Sequence, residues 1–227
     1  GDRSYGSQMT AHHIFLVEDD APLRTSLTRL LEVSGYSVTG FGSAEAMLTA
    51  LASSGLVMHP DCIVLDVNLP GLNGVDAQQQ LRYIQVTCPV IFVSAELNAH
   101  HVNTAWRDGA AEFIFKPFQP QDLLNAIRGA LEKKAIDSSL SLSDANTHLS
   151  DPIAAKQAKL IQGLTPRQQQ VLLWLVDGHS NTQIAEKMDI SARTVKMHRE
   201  GLMQRLEIKH ITELARIYQQ CKHLLKS

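Results

Sequence analysis

Short apolar runs alternate with helical patterns over residues 11–134. Within this region, leucines recur at i, i+4, i+7 and i+8 from Leu23, and Gly35 ends the pattern, as in an amphipathic helix. Such alternation predicts a parallel sheet covered by helices on both faces. The apolar runs expected to form its five strands lie at 13–17, 37–41, 62–66, 89–94 and 112–116.

The pattern changes in the second half of the chain. Residues 136–151 are rich in serine, aspartate and asparagine, and residues 135–162 are predicted to form a linker. The segment AAKQAKLIQ (154–162) could form a short helix that leads into the second domain. Residues 163–227 carry no strand signal and predict four short helices. Two of these helices are separated only by a turn at Asp189 and Ile190, which predicts a helix-turn-helix unit.

Composition and charge support two globular domains with different partners. The 227 residues are 44% hydrophobic and 19% charged, and no apolar run is long enough to span a membrane. The net charge is −2, and the charged residues are unevenly distributed along the chain. Residues 11–134 hold 8 basic and 13 acidic side chains, whereas residues 163–227 hold 10 and 6. A basic C-terminal domain suits a polyanionic partner.

The N-terminal segment and the cysteines bear on where in the cell the protein is found. Residues 1–10 are interpreted as a cloning remnant or a disordered N-terminus, without the layout of a signal peptide. The three cysteines, at 62, 88 and 221, have unrelated spacings. They are interpreted as reduced thiols, so we expect a cytoplasmic protein.

Polar side chains follow four of the predicted strands. Glu18 and Asp19 follow the first, Asp66 ends the third, Ser94 ends the fourth and Lys116 ends the fifth. Ligands of open α/β sheets bind outside the carboxyl ends of the strands. Carboxylates that converge there suit a hard cation such as Mg²⁺.

This region resembles the receiver domain of two-component response regulators over about 120 residues. The resemblance rests on the motifs VEDD, IVLDVNLPGLNG, VSA and KPF, in that order at the strand ends. It implies a five-stranded parallel sheet of flavodoxin-like order 2-1-3-4-5. It also implies that Asp66 is the phosphoacceptor and that a sensor histidine kinase is a partner.

The same resemblance implies a Mg²⁺ site. Asp19, Asp66 and the backbone carbonyl of Asn68 would bind the ion, and Glu18 would act mainly through a coordinated water. The acidic pair can be Glu18 with Asp19 or, shifted by one position, Asp19 with Asp20. The start of the next helix near Pro22 favours the first register.

Three further residues receive roles from the resemblance. Lys116 would neutralise charge on the transferring phosphoryl group, and Ser94 would hydrogen-bond the new phosphate. Phe113 occupies the position of the switch aromatic and would change rotamer.

The C-terminal domain begins with a helix-start motif. In LTPRQQQ, Thr165 is expected to cap a helix, with Pro166 at its first position and Gln168 completing a capping box. With the segments DGHSNTQIAEKM and SARTVKMH, it resembles the DNA-binding domain of NarL/FixJ (LuxR-type) regulators over about 60 residues.

The resemblance implies that the helix starting at Ser191 enters the major groove of DNA. Residues for base edges would be Lys196, Met197 and Glu200, with Arg199 a further candidate. The expected phosphate contacts are Asn181, Thr182, Arg193, Thr194 and Lys209.

The chain is therefore identified as a member of the response regulators, most similar to the FixJ-like branch. Phosphorylation at Asp66 would promote a homodimer that binds promoter DNA, with RNA polymerase as a further possible partner. Two alternatives remain open. The same fold could act without phosphorylation, or the sheet could belong to a Mg²⁺-dependent phosphohydrolase; Asn68 does not supply the second acid that such an enzyme uses.

Overall fold

The computed structural model describes residues 11–53, 59–95, 99–140 and 152–221. Its N-terminal domain (residues 11–140) contains five parallel strands in the order β2-β1-β3-β4-β5, which confirms the predicted fold class. The strands are β1 (His13–Val17), β2 (Ser37–Phe41), β3 (Cys62–Asp66), β4 (Val90–Ser94) and β5 (Glu112–Phe115).

Helices cover both faces of this sheet. Alternate residues of a strand point to opposite faces, so Phe15 packs into one core and Leu16 into the other. One core receives side chains from α2, α3 and α4, and the other from α1 and α5. These helices are α1 (Ala21–Val33), α2 (Ala44–Ser53), α3 (Gly74–Tyr83), α4 (Ala99–Arg107) and α5 (Pro120–Leu140).

The C-terminal domain (residues 152–221) is helical throughout its described elements. Thr165 and Gln168 form the predicted capping box at the start of α7, and Ser191 caps α9. Val195 and Leu202 of α9 are fully buried in the core of this domain. Its helices are α6 (Pro152–Gln162), α7 (Pro166–Val176), α8 (Asn181–Met188), α9 (Ala192–Arg205) and α10 (Thr212–Cys221).

Helix occupies both ends of the segment predicted as a linker over 135–162. Helix α5 continues to Leu140, and α6 begins at Pro152. Ile161 of α6 is fully buried among the residues of the C-terminal core, so α6 packs with that domain. The predicted N-terminal segment 1–10 and the middle of the predicted linker lie outside the described residues.

The two domains are in direct contact. Helix α9 lies against α4 and β5, and α7 lies against α5. Met197 of α9 is 1% exposed and belongs to the same core cluster as Phe92 and Trp106 of the N-terminal domain. Among the described helices, none is both long enough and apolar enough to cross a bilayer.

Candidate functional site

Three carboxylates and one ammonium meet at the C-terminal edge of the sheet. Glu18 and Asp19 follow β1 and Asp66 ends β3, and each offers an oxygen within 4.8 Å of the others. The Nζ of Lys116 donates to Oε2 of Glu18 at 2.7 Å and to Oδ2 of Asp66 at 2.8 Å. Parallel strands place all four residues at one edge because their carboxyl ends coincide.

The pKa values of Glu18 and Lys116 are both raised. Burial raises the pKa of Glu18, and the nearby Asp66 adds to this rise, while the hydrogen bond from Lys116 opposes it. Burial alone would lower the pKa of Lys116. Hydrogen bonds to Asp66 and Glu18 outweigh that effect, so the pKa of Lys116 is raised and its ammonium stays charged at neutral pH.

The loop after β3 fixes the orientation of Asp66. The backbone N–H of Asn68 donates to Oδ1 of Asp66 at 2.8 Å, so both carboxylate oxygens have partners. Gly74 lies so close to this loop that an added Cβ would sit 2.4 Å from the carbonyl oxygen of Asp66. The Nδ2 of Asn68 lies 3.5 Å from Oγ of the buried Ser94, which connects the ends of β3 and β4.

Asp20 has a different role from its two acidic neighbours. Its side chain accepts from the backbone N–H of Leu23 at 3.0 Å and caps α1. Glu18 is buried, whereas Asp19 is exposed at the edge of the cluster. The carboxylates that lie close to Asp66 are therefore Glu18 and Asp19.

The donor set fits a divalent cation. Three carboxylates face one ammonium, which leaves an excess of negative charge at a half-buried position. Burial is the main cause of the raised pKa of Glu18, so an added cation would relieve an existing electrostatic cost. Oxygen ligands with open access to water are the set that Mg²⁺ prefers.

Phe113 points inward, into the core between β5 and α4. Its ring stacks on Phe92 with centroids 5.0 Å apart and lies 5.5 Å from the ring of Trp106. Trp106 in turn faces Gly201 of α9, where an added Cβ would be only 2.6 Å from Cε2 of the indole. The predicted switch aromatic thus adjoins the residue that supports the docked C-terminal domain.

The residues predicted to contact DNA do not share one environment. Lys196 and Glu200 of α9 are exposed, whereas Arg199 is half-buried and lies 3.5 Å from Oδ1 of Asn181. The structure departs from the prediction at Met197, which was expected on the open face of α9. The α4–β5 surface covers that face, so Met197 is buried.

The predicted phosphate contacts also differ among themselves. The guanidinium of Arg193 lies over the ring of Phe115 in β5, 4.7 Å from its centroid. Thr182 and Lys209 are exposed, and Thr194 is half-buried beside its cap residue Ser191.

A buried polar contact lies between the domains, and no sequence prediction anticipated it. The Nδ1 of His198 is 3.2 Å from Oε1 of Glu112, without the angles of a hydrogen bond, and both residues are at most 5% exposed. Arg205 donates to the carbonyl oxygens of Ala110 and Gly163.

Burial raises the pKa of Glu112 to about 7 and lowers the pKa of His198 to about 3. The sequence signal for this interface was a second stripe on α9, at positions 197, 201 and 205, which recur every four residues.

Comparisons with known proteins agree with this architecture. The family described as "Response regulator receiver domain" matches residues 14–128, and "Bacterial regulatory proteins, luxR family" matches residues 162–218. Nodulation protein W of Bradyrhizobium diazoefficiens is 32% identical, with 96% of this chain and 89% of the relative covered. Response regulator protein TodT of Pseudomonas putida is also 32% identical, with coverages of 94% and 88%.

The FixJ proteins extend the likeness to a solved structure. Transcriptional regulatory protein FixJ of Bradyrhizobium diazoefficiens is 31% identical over 92% of this chain and 95% of its own length. The crystal structure of full-length FixJ from B. japonicum covers 93% of this chain and 98% of that chain, with 30% identity and a TM-score of 0.51. The chain therefore belongs to the response regulators that join a receiver domain to a LuxR-type DNA-binding domain.

Proposed function

We propose that Asp66 accepts a phosphoryl group from a sensor histidine kinase and that the resulting aspartyl phosphate controls DNA binding by α9. The observation that supports this most directly is the Lys116 ammonium, which contacts both Glu18 and Asp66 within 2.8 Å. An ammonium at that position neutralises charge on a phosphoryl group carried to Asp66.

The chemistry assigned to the site is nucleophilic displacement. A carboxylate oxygen of Asp66 attacks phosphorus, and the bond from phosphorus to the kinase histidine, or to a small donor, breaks with the electron pair leaving on the donor. Glu18, Asp19, Asp66 and the carbonyl of Asn68 would hold Mg²⁺, which supplies positive charge to the phosphoryl oxygens when bound. Ser94 would hydrogen-bond the new phosphate.

We assign the signal's output to the contact between Phe113, Trp106 and Gly201. A phosphate that draws Ser94 towards Asp66 opens space beside Phe113. A change in that ring alters the surface of Trp106 against which α9 rests. Release of α9 exposes Met197 and frees the guanidinium of Arg193 from the ring of Phe115. A homodimer of released chains would then bind two half-sites of promoter DNA about one helical turn apart.

Further parts of the proposal follow from this assignment. Base edges are assigned to Lys196, Met197, Arg199 and Glu200. RNA polymerase is a candidate partner at the promoter, and a cytoplasmic location fits a protein that must meet chromosomal DNA. Phosphate contacts are assigned to Asn181, Thr182, Arg193, Thr194 and Lys209.

The experiment incubates the full chain with Mg²⁺ and acetyl phosphate and follows its intact mass. We expect an adduct of one phosphoryl group on the wild type and on the control Asp76→Asn, whose side chain is exposed outside the cluster. Asp66→Asn should give no adduct. An adduct that persists in Asp66→Asn would contradict the assignment.

The same experiment separates the two alternatives. Continuous release of phosphate with no stable adduct would indicate a phosphohydrolase. No adduct under any condition, with DNA binding retained, would indicate a regulator that acts without phosphorylation. A gel-shift assay on DNA fragments selected from random sequence then measures whether the phosphorylated chain binds more tightly than the unmodified one.

A further inference from the structure

A cavity lies between the two domains, at the opposite edge of the sheet from Asp66. Its volume is about 860 Å³, within the range of small-molecule sites. One wall is α5 of the receiver and the other is α7 of the DNA-binding domain. Pro89 and Ala111, which precede β4 and β5, lie between these walls. None of the residues of the carboxylate cluster lines this cavity.

The lining of this interdomain cleft carries an excess of positive charge. Five basic side chains face two acidic ones, and burial raises the pKa of one of those acids, Glu112, to about 7. The acid is therefore only partly ionised at neutral pH, which leaves the positive excess largely uncompensated. The basic residues are Lys133, Lys134, Arg167, Lys187 and Arg205.

Within the described residues, three of these five cations have partners, whereas no hydrogen bond or ion pair engages the side chain of Lys134 or of Arg167. Lys133 donates to Asp137 and to the carbonyl of Gln162, and Arg205 donates to two carbonyls. Lys187 lies over the ring of Trp174. Within the part of the chain that the structure describes, no hydrogen bond or ion pair engages Arg167, and its charge lowers the pKa of both Glu112 and His198.

Apolar surface lies beside these charges. Trp174 and Met188 line the cleft from the DNA-binding domain, and Ala126 and Ala130 line it from α5. A ligand that satisfies both features has an anionic group for the unpaired guanidinium and a compact apolar body for the walls. Arginine binds carboxylate and phosphate oxygens in a bidentate manner, so either anionic group meets the requirement.

We propose that the cleft binds a small organic anion with an apolar body, a carboxylate or a phosphate monoester, and that Arg167 is its principal anchor. Because the two walls belong to different domains, the site is complete only while the domains are docked. The bound anion therefore stabilises the docked arrangement and, by reciprocity, lowers the affinity of α9 for DNA. This inference depends on the docked arrangement and not on the chemistry of Asp66.

Isothermal titration calorimetry on the full, unphosphorylated chain tests the proposal. The probes are benzoate and phenyl phosphate, which separate the two anionic groups. Benzamide is the neutral counterpart of benzoate, and acetate lacks the apolar body. We expect benzoate or phenyl phosphate to bind, with benzamide and acetate each at least about tenfold weaker.

The variants compare two arginines. Arg167→Ala should weaken binding by about tenfold or more, whereas Arg128→Ala, on the exposed face of α5 outside the cleft, should leave it unchanged. Arg167→Lys retains the charge and should give an intermediate loss. Circular dichroism confirms that each variant is folded.

The readout on DNA completes the test. The bound probe should lower DNA affinity in the wild type and not in Arg167→Ala. The proposal is overturned if neither anion binds more tightly than about 1 mM, or if benzamide binds as well as benzoate. It is also overturned if the Ala variants at 167 and 128 lose affinity equally. Phosphorylation of Asp66 is measured separately by intact mass, so either proposal can fail alone.

Discussion

The indole of Trp106 occupies the space that a side chain at Gly201 would need. An added Cβ at position 201 would lie 2.6 Å from Cε2 of Trp106, closer than real Cβ contacts occur. Glycine inside a helix costs about 0.5–1 kcal/mol relative to alanine. The added Cβ would also lie 2.9 Å from Nε2 of Gln168 in α7, so glycine at this position fits both the contact with α4 and the packing inside its own domain.

Replacing Gly201 with alanine should release the DNA-binding domain. The new methyl group overlaps the indole of Trp106 most closely and also approaches the side-chain amide of Gln168. Overpacking of this kind costs about 1–3 kcal/mol. We expect DNA binding by the unphosphorylated chain to rise about five- to hundredfold, as measured by fluorescence anisotropy.

The matched control is Gly129→Ala. Gly129 lies in α5 at the same domain interface, but its added Cβ would meet Pro166 Cγ at 3.6 Å, an ordinary contact. DNA affinity should not change in this variant. Equal effects at positions 129 and 201 would contradict the role assigned to Trp106.

Lys116→Met removes the ammonium and leaves the carboxylates uncompensated. The expected loss in the free energy of unfolding is about 1–3 kcal/mol at neutral pH. The pKa of Glu18 should rise further, since the hydrogen bond from Lys116 lowers it. A carboxyl group whose pKa is higher in the folded state favours folding at low pH, and that contribution is lost as pH rises. The stability deficit of Lys116→Met should therefore grow above pH 4.5.

Urea denaturation with and without Mg²⁺ measures this effect. Mg²⁺ should restore part of the lost stability, because it supplies positive charge to the same carboxylates. Lys159→Met, at an exposed position of α6, serves as the control and should behave like the wild type. A variant at 116 that is as stable as the wild type without Mg²⁺ would argue against the charge balance described for the cluster.

The buried pair of Glu112 and His198 should make docking insensitive to pH over a defined window. In the docked chain the pKa of Glu112 is raised from its ordinary 4.5 to about 7, and that of His198 is lowered from 6.5 to about 3. We assign both shifts to docking, because each residue is covered by the other domain. Between pH 4.5 and 6.5, docking therefore moves one proton from histidine to glutamate with no net uptake. Docking should weaken as pH rises from 6.5 to 7 and as pH falls from 4.5 to 3.

Single substitutions separate the two contributions. In His198→Gln only the glutamate titrates, so docking should weaken steadily as pH rises from 4.5 to 7. In Glu112→Gln only the histidine titrates, so docking should strengthen from pH 3 to 6.5. Förster resonance energy transfer between the two domains of the full chain measures how docking depends on pH in each variant. A profile that does not change with pH in either variant would rule out the proton exchange. The guanidinium groups of Arg167 and Arg205 also face Glu112.

Lys196→Ala should weaken sequence-specific binding without affecting the fold. Loss of a base-edge contact costs about 1–3 kcal/mol and relaxes the preference at one base position. Lys209→Ala should instead lower affinity for all sequences alike and reduce the salt dependence. Selection from random DNA with the phosphorylated chain measures both. If Lys196→Ala loses the same affinity for all sequences, Lys196 contacts phosphate and not a base edge.

The sequence was sufficient for the sheet, the strand-end residues and the helix caps because each depends on local order. A carboxylate at the end of a strand, or a threonine three residues before a glutamine, predicts the same local structure whatever the neighbouring domain. The capping box of Thr165 and Gln168 and the burial of Val195 and Leu202 were predictable on these grounds. The acidic residue that caps α1, Asp20, could also be separated from its neighbours by the position of Pro22.

Docking of the two domains could not be predicted in this way. Met197 lies on the face of α9 opposite its own core, so periodicity alone indicates an exposed residue. Its burial depends on Trp106 and Phe113, more than eighty positions away in the chain. The burial of Glu112 could not be predicted either. A carboxylate at the start of a strand gives no sign that a histidine of another domain will cover it.

The burial of Met197 has a consequence for how such a regulator can diverge. A replacement at this position alters the resting state of the protein even if it improves the fit to a new operator. Lys196 and Glu200 lie in water and are free of that constraint. New operator preferences should therefore be acquired first at positions 196 and 200, while position 197 changes only together with the receiver surface that covers it.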